Sequence, residues 1–225
     1  MILNMKRTKL DDRKLPFYTK GEEIFNMVSH IVGGVSGIVS LVLCIIFARD
    51  GYALFSGIVY GISMILLYTM SAIYHGLSPN LKEKKVFQIM DHCSIFVLIA
   101  GTYTPVLLCS IRPHDPFWAW TLFAIIWCVT ILGITLNAID IERHKKFSMF
   151  CYLVMGWCIV FKINLLPVAL PSMGIWLLVL GGLAYTIGVV FYVLQNKIKY
   201  MHSIWHLWIL VGSSLHFLCI ILYVI

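Results

Sequence analysis

A chain of 225 residues that is 60% hydrophobic and only 12% charged, with a mean hydropathy of +0.91, has too few polar side chains to cover a water-soluble globule of its length. Its apolar windows run about 20 residues, the length of a helix crossing a hydrocarbon core and too long for the strands of a barrel, so the composition points to an all-α integral membrane protein. The formal charge of +7 needs no nucleic-acid partner, because the bases fall between the apolar windows, where they report orientation.

In chain order, residues 1–22 read as a basic cytoplasmic tail with no cleavable apolar core, so the first span serves as the targeting element. Residues 23–225 read as a single transmembrane domain of seven spans, near 24–47, 53–76, 91–111, 117–138, 147–166, 173–195 and 202–225. The connectors ARDG, LSPNLKEKK, RPHDP, DIERHKK, LPVALPS and NKIKY leave no room for a second domain, and there is no internal repeat. Pro105 in GTYTP is expected to kink the third span. The seven cysteines are odd in number, form no CxxC pair and fall within the spans, as small packing residues do.

Fourteen of the seventeen Lys and Arg residues lie in the tail and in the second, fourth and sixth connectors; the connectors of the other side hold only Arg49 and Arg112. The positive-inside rule then places the N-terminus in the cytoplasm and the C-terminus, after seven crossings, outside. The remaining base, Lys162, sits near the outer end of the fifth span and is expected to snorkel outward, a buried functional lysine being the alternative.

With that orientation, the intramembrane polar residues collect toward one face. Glu23, Asn26 and His30 open the first span, Ser71 and His75 close the second, Asp91 opens the third, and His202 and His206 open the seventh. At about 100° per residue, Ser71 and His75 share a helix face, as do His202 and His206, while Glu23, Asn26 and His30 fall within an arc of about 60°. Charged side chains facing lipid cost about 2.5–3.5 kcal/mol on insertion scales, so these faces point into the bundle.

Two imidazoles four residues apart on one helix, joined by a third at the same depth, form a three-nitrogen set that suits Zn2+ and leaves a fourth position for water. Bound zinc lowers the pKa of that water to about 7. Ser71, a turn from His75, can then bond the water or a substrate oxygen, and Asp91 can take a proton. The plainer reading of HxxxH is a pair of interfacial histidines facing headgroups. Glu23, Asn26 and His30 read more simply as a hydrogen-bonded cluster bracing the first span than as ligands. His92, about 100° from Asp91, reads as interfacial, His114 and His144 as solvent-facing, and His216 as a packing or hydrogen-bonding residue nearer the outer side.

The patterns EIFNMVSH (Glu23, Asn26, His30), SAIYH (Ser71, His75) and HSIWH (His202, His206), in this order on the first, second and seventh spans, resemble the haemolysin III family. That family is the bacterial branch of the progestin and adipoQ receptor superfamily, which includes the adiponectin receptors and is similar to the alkaline ceramidases. The resemblance runs from Glu23 to the C-terminus. It implies a bacterial plasma-membrane protein with zinc on His75, His202 and His206, Ser71 and Asp91 around the metal-bound water, a cytoplasmic N-terminus and an external C-terminus. The short N-terminal segment, unlike that of the animal receptors, points away from hormone sensing. Three function classes remain: a zinc-dependent hydrolase of a lipid amide or acyl bond with a role in lipid homeostasis, a cytolytic pore-forming haemolysin, and a non-enzymatic sensor or receptor of membrane state.

Overall fold

The computed structural model describes residues 8–225; Lys6 and Arg7, counted among the tail bases, lie outside the described residues. Six stretches are long and apolar enough to cross a membrane, and no strand occurs among the described residues. In hydrocarbon every backbone N–H and C=O must be paired within the segment, and a helix does that without a neighbour. The helices are α1 (Lys20–Phe47), α2 (Gly51–Gly76), α3 (Lys82–Pro105), α4 (Pro116–Trp157), the short α5 (Leu166–Ala169), α6 (Ser172–Leu194) and α7 (Met201–Cys219).

Their starts are written locally. Thr19 and Glu22 form a reciprocal capping box at α1. Asp50 accepts from the Ala53 N–H at 2.8 Å to begin α2, and Asp115 accepts from Trp118 at 3.0 Å to begin α4, with Pro116 in the first turn. In α3 the α-helical register ends at Pro105 and continues as a π-helical turn over Val106–Ile111, at the residue whose missing N–H removes a ladder bond.

The polarity of the bundle is inverted relative to a soluble protein. Along α1 the buried residues are Glu22, Asn26, His30, Gly33, Gly37, Ser40 and Cys44, a polar and small stripe at helical spacing. On its other face Ile31, Val35, Ile38 and Ile46 are half or more exposed. Small residues let the helices close: a Cβ on Gly61 would stand 2.6 Å from the Cα of Leu41, so α1 and α2 approach backbone to backbone there.

One expectation is refined and one needs correction. The sequence separates spans 117–138 and 147–166 by the connector DIERHKK, and the helix breaks at its first residue: Asp140 leaves helical geometry (φ −158°, ψ 96°), so α4 consists of two helical parts joined at a kink, while the connector residues after Asp140 are themselves helical. Asp140 caps the second part of α4, its Oδ1 accepting from the Arg143 N–H at 3.3 Å. Beyond it the chain folds back, because Ser148 Oγ donates to Asn137 Oδ1 at 2.7 Å across a separation of 11 residues. In a straight helix those residues would lie about 16 Å apart. Second, Lys82, Lys84 and Lys85 are connector residues in the sequence reading, whereas α3 already begins at Lys82 and Lys84 is buried.

After α4 the chain passes through a 3-10 segment, Cys158–Leu165. Lys162 within it pairs with Asp115 at 3.5 Å and lies 5.2 Å over the Trp118 ring, at the N-terminal end of α4. All seven cysteines are free thiols, four of them buried. The described part of the N-terminal segment lies along the bundle end that holds Asp140 and the start of α3. Thr8 N–H donates to Asp140, Arg13 to the Ile139 carbonyl, and Asp11 pairs with Lys82 at 2.9 Å.

Candidate metal centre

At that end of the bundle, the last turn of α2 and the first turns of α7 bring His75, His202 and His206 together. The Nε2 atoms of His75 and His202 are 3.3 Å apart, and those of His202 and His206 are 3.1 Å apart. One ligand atom from each of the three rings lies within 4.8 Å of the others, and all three residues are buried. Zinc with bonds of about 2.0–2.1 Å in tetrahedral geometry sets its nitrogens about 3.3–3.4 Å apart. The donor set and two of its spacings therefore fit that ion.

The entry of α7 is held in an unusual backbone conformation. Tyr200, the residue before Met201, has φ +63°, the left-handed region that a non-glycine residue rarely adopts. Its N–H donates to Glu22 Oε1 at 2.6 Å, so the carboxylate that helps cap α1 also fixes where α7 begins. In the first turn of α7, His202 then faces His75 of α2.

Glu23 accepts from His75 Nδ1–H at 2.7 Å through Oε2, and its Oε1 meets the Lys84 ammonium at 2.9 Å. His30 lies flat on the His206 ring with centroids 3.8 Å apart and is edge-on to Tyr68. Both of its nitrogens, and both side-chain polar atoms of Asn26, are buried without a hydrogen-bond partner. Glu23, Asn26 and His30 thus share the inward face of α1 but do not bond to one another: Glu23 turns to His75 and Lys84, His30 stacks on His206, and the Asn26 amide has no hydrogen-bond partner. Ser71 is fully buried beside Asp91, its hydroxyl approaching that carboxylate without reaching full hydrogen-bond geometry.

Asp91, His30 and His92 also line a cavity of about 1210 Å³, open mouth included, that runs through the bundle past Asn137 to Tyr185 and His216. Its walls are mostly apolar. His216, ten residues beyond His206 on α7, meets the Leu178 carbonyl through Nε2, 3.0 Å away. His92 departs from its expected interfacial place: its ring meets the Gln88 carbonyl at 2.9 Å and Tyr192 at 3.4 Å inside the bundle. His114 is exposed and His144 is half-buried.

Several residues at the site carry no sequence signal. Lys84 reads as one of a run of connector bases. Tyr18 reads as tail, yet it stacks on His202 with ring centroids 4.7 Å apart while its hydroxyl donates to Gln195 at 2.8 Å. Burial holds its phenol well above the usual tyrosine range, so it remains a donor.

Fold and site together define a multi-pass helical membrane protein with a buried three-imidazole cluster at one end of the bundle. The chain belongs to the Haemolysin-III related family, which matches residues 18–217. It is 41% identical to Hemolysin-3 of Bacillus cereus over 207 residues, covering 91% of this chain and 92% of that protein. It is 38% identical to the Hemolysin-3 homolog of Bacillus subtilis over 209 residues, covering 92% and 96% of the two chains. A more distant likeness, 27% over 204 residues and 88% and 83% of the two chains, joins it to the human Monocyte to macrophage differentiation factor.

Proposed function

We propose that this protein is a zinc-dependent intramembrane hydrolase of a lipid amide or ester, with a part in membrane lipid homeostasis. The observation that carries the reading is the convergence of three buried imidazole nitrogens at spacings of 3.1 and 3.3 Å. His75, His202 and His206 would hold the ion. Bound zinc supplies Lewis acidity, polarising a carbonyl oxygen and acidifying water.

The chain's own residues account for the remaining steps. The apolar cavity receives the acyl chain and excludes water, and the scissile carbonyl rests at the end of the cavity lined by Asp91 and His30, next to the three histidines. The Ser71 hydroxyl donates to that carbonyl oxygen. The Asp91 carboxylate takes the proton of the attacking water as the new C–O bond forms, and passes it to the leaving nitrogen or oxygen as the old bond breaks. The membrane arrangement belongs to the same proposal. Residues 1–22 form a cytoplasmic tail and residues 23–225 one seven-pass domain, with α4 making two passes about Asp140 and the C-terminus outside. The fold-back between Asn137 and Ser148 and the distribution of Lys and Arg support it.

The test is zinc content by mass spectrometry in detergent-purified protein beside His75→Ala and His202→Ala. It is followed by release of fatty acid from ceramide and from acyl glycerolipids. Zinc lost in both variants together with turnover supports the reading; zinc-loaded protein that releases fatty acid from no lipid overturns the hydrolase. The name of the Bacillus cereus relative favours a second reading, lysis. It is tested by dye release from liposomes, which that reading expects to survive loss of the histidines.

A further inference from the structure

We propose that Glu23 and Lys84 are a positioning pair that fixes the tautomer and orientation of His75, and so presents its Nε2 to the metal. The inference rests on the three-histidine cluster being a metal site. It begins with an anomaly, a lysine 1% exposed in a helix that starts only two residues earlier. Burying an ammonium is costly unless every proton finds an acceptor. Lys84 has three protons and three acceptors: Glu23 Oε1, the Tyr74 carbonyl and the Leu77 carbonyl, each at 2.9 Å.

Those acceptors come from two other elements. Tyr74 O belongs to the last turn of α2, where helical carbonyls lack intrahelical partners, and Leu77 O comes directly after it. Glu23 belongs to the first turn of α1. A single ammonium therefore joins α1, α2 and α3 beside His75, and it holds Glu23 with its second oxygen on His75 Nδ1 at 2.7 Å.

The consequence is electronic. With Nδ1 donating to Glu23, the lone pair of a neutral His75 is on Nε2, which faces His202 Nε2 at 3.3 Å. The other tautomer would thrust an N–H into the centre of the cluster. The Nδ1 atom of His202 has no hydrogen-bond partner and the His206 ring only approaches the Asn26 backbone without reaching full hydrogen-bond geometry, so His75 is the ring held by a carboxylate. Carboxylates that orient a ligating histidine are general, and their loss typically weakens metal binding about 10- to 100-fold.

Two readouts test the pair. The first is the 15N spectrum of the His75 ring in metal-free protein, expected to show protonated Nδ1 in the wild type and a mixture of tautomers in Lys84→Met. The second is zinc affinity by chelator competition, expected to fall about 10- to 100-fold in both Lys84→Met and Glu23→Gln and to fall no further in the double variant, since both act through one ring. Glu23→Gln keeps side-chain size and carries the test if Lys84→Met does not accumulate. Unchanged tautomers in the variants, or losses of affinity that simply add, overturn the pairing. Wild-type protein that binds no zinc overturns the metal reading instead, and the nitrogen spectrum still decides whether Glu23 and Lys84 fix the ring.

Discussion

His75 and His202 stand 127 residues apart in the chain and 3.3 Å apart at their Nε2 atoms. The contact joins the end of one helix to the beginning of another at a single depth, and a third nitrogen from His206 lies 3.1 Å from His202. Three buried imidazoles cannot all be satisfied by hydrogen bonds to one another: His75 spends its Nδ1 proton on Glu23, the Nδ1 atom of His202 has no partner, and the His206 ring only approaches the Asn26 backbone. A cation at their centre would use all three lone pairs at once.

Replacing any one of these rings should therefore remove the ion rather than merely weaken it. In His75→Ala, His202→Ala and His206→Ala, zinc is expected to fall from about one per chain to a small fraction, because two remaining ligands no longer make a three-ligand site. Metal analysis on protein whose circular dichroism remains helical checks this. Any one variant that keeps a full equivalent would exclude that histidine as a ligand.

Tyr18 covers the same cluster from the N-terminal side, stacked on His202 and tied to Gln195. Tyr18→Ala removes the cover while leaving the three ligands. Stripping of zinc by an external chelator is then expected to accelerate several-fold with little change in the zinc content of untreated protein. Tyr18→Phe, which keeps the ring and loses only the hydroxyl, should strip nearly as slowly as wild type. Equal stripping rates in all three proteins would show that Tyr18 does not guard the site.

The fold-back at Asp140 has its own consequence. If α4 makes two passes, reporters fused to the N- and C-termini should lie on opposite sides of the membrane, and a label attached near Arg143 should share the side of the N-terminus. Termini found on one side would mean an even number of crossings and would sink the seven-pass arrangement. The bond that spans the fold-back should also be measurable. Ser148→Ala leaves Asn137 Oδ1 buried without its donor and is expected to lower stability by about 1–3 kcal/mol, read as a lower melting midpoint in detergent.

Much of this arrangement was legible in the sequence. Hydropathy windows of helical length found the apolar stretches, since lipid leaves the backbone few alternatives, and the spacing of Ser71, His75, His202 and His206 put each pair on one face. The expected starts of the second, sixth and seventh spans fall within two residues of α2, α6 and α7. The break in α4 was legible as the connector DIERHKK, but its extent was not, because a charged helical turn and a charged loop look alike in composition; only the capping role of Asp140 shows that the second part of α4 begins directly after it. Lys84 was hidden for a related reason. Among Lys82, Glu83, Lys84 and Lys85, nothing local marks the one base that turns inward, because its acceptors come from Glu23, Tyr74 and Leu77 on other elements. The sequence could place polar residues at one depth, but partner choice within that depth is a tertiary property. His92 illustrates it, bonded within the bundle although its position matched an interface.

At the far end of the cavity the helices meet more closely than side chains allow. A Cβ on Gly181 of α6 would stand 2.2 Å from the His216 ring of α7, so Gly181→Ala must push the ring away and disturb its bond to the Leu178 carbonyl. Overpacking of this kind costs about 1–3 kcal/mol. The expected result is a lower melting midpoint with unchanged zinc, because His216 lies ten residues, or about 15 Å of helix, beyond His206. Gly156 supplies the contrast, since a Cβ there would meet nothing within 4 Å. Gly156→Ala should leave the midpoint unchanged or raise it, by up to about 1 kcal/mol from the better helix propensity of alanine. If the two substitutions shifted the midpoint alike, the close approach of α6 and α7 would not be what holds this end of the bundle, and the register between His216 and Gly181 would have to be different.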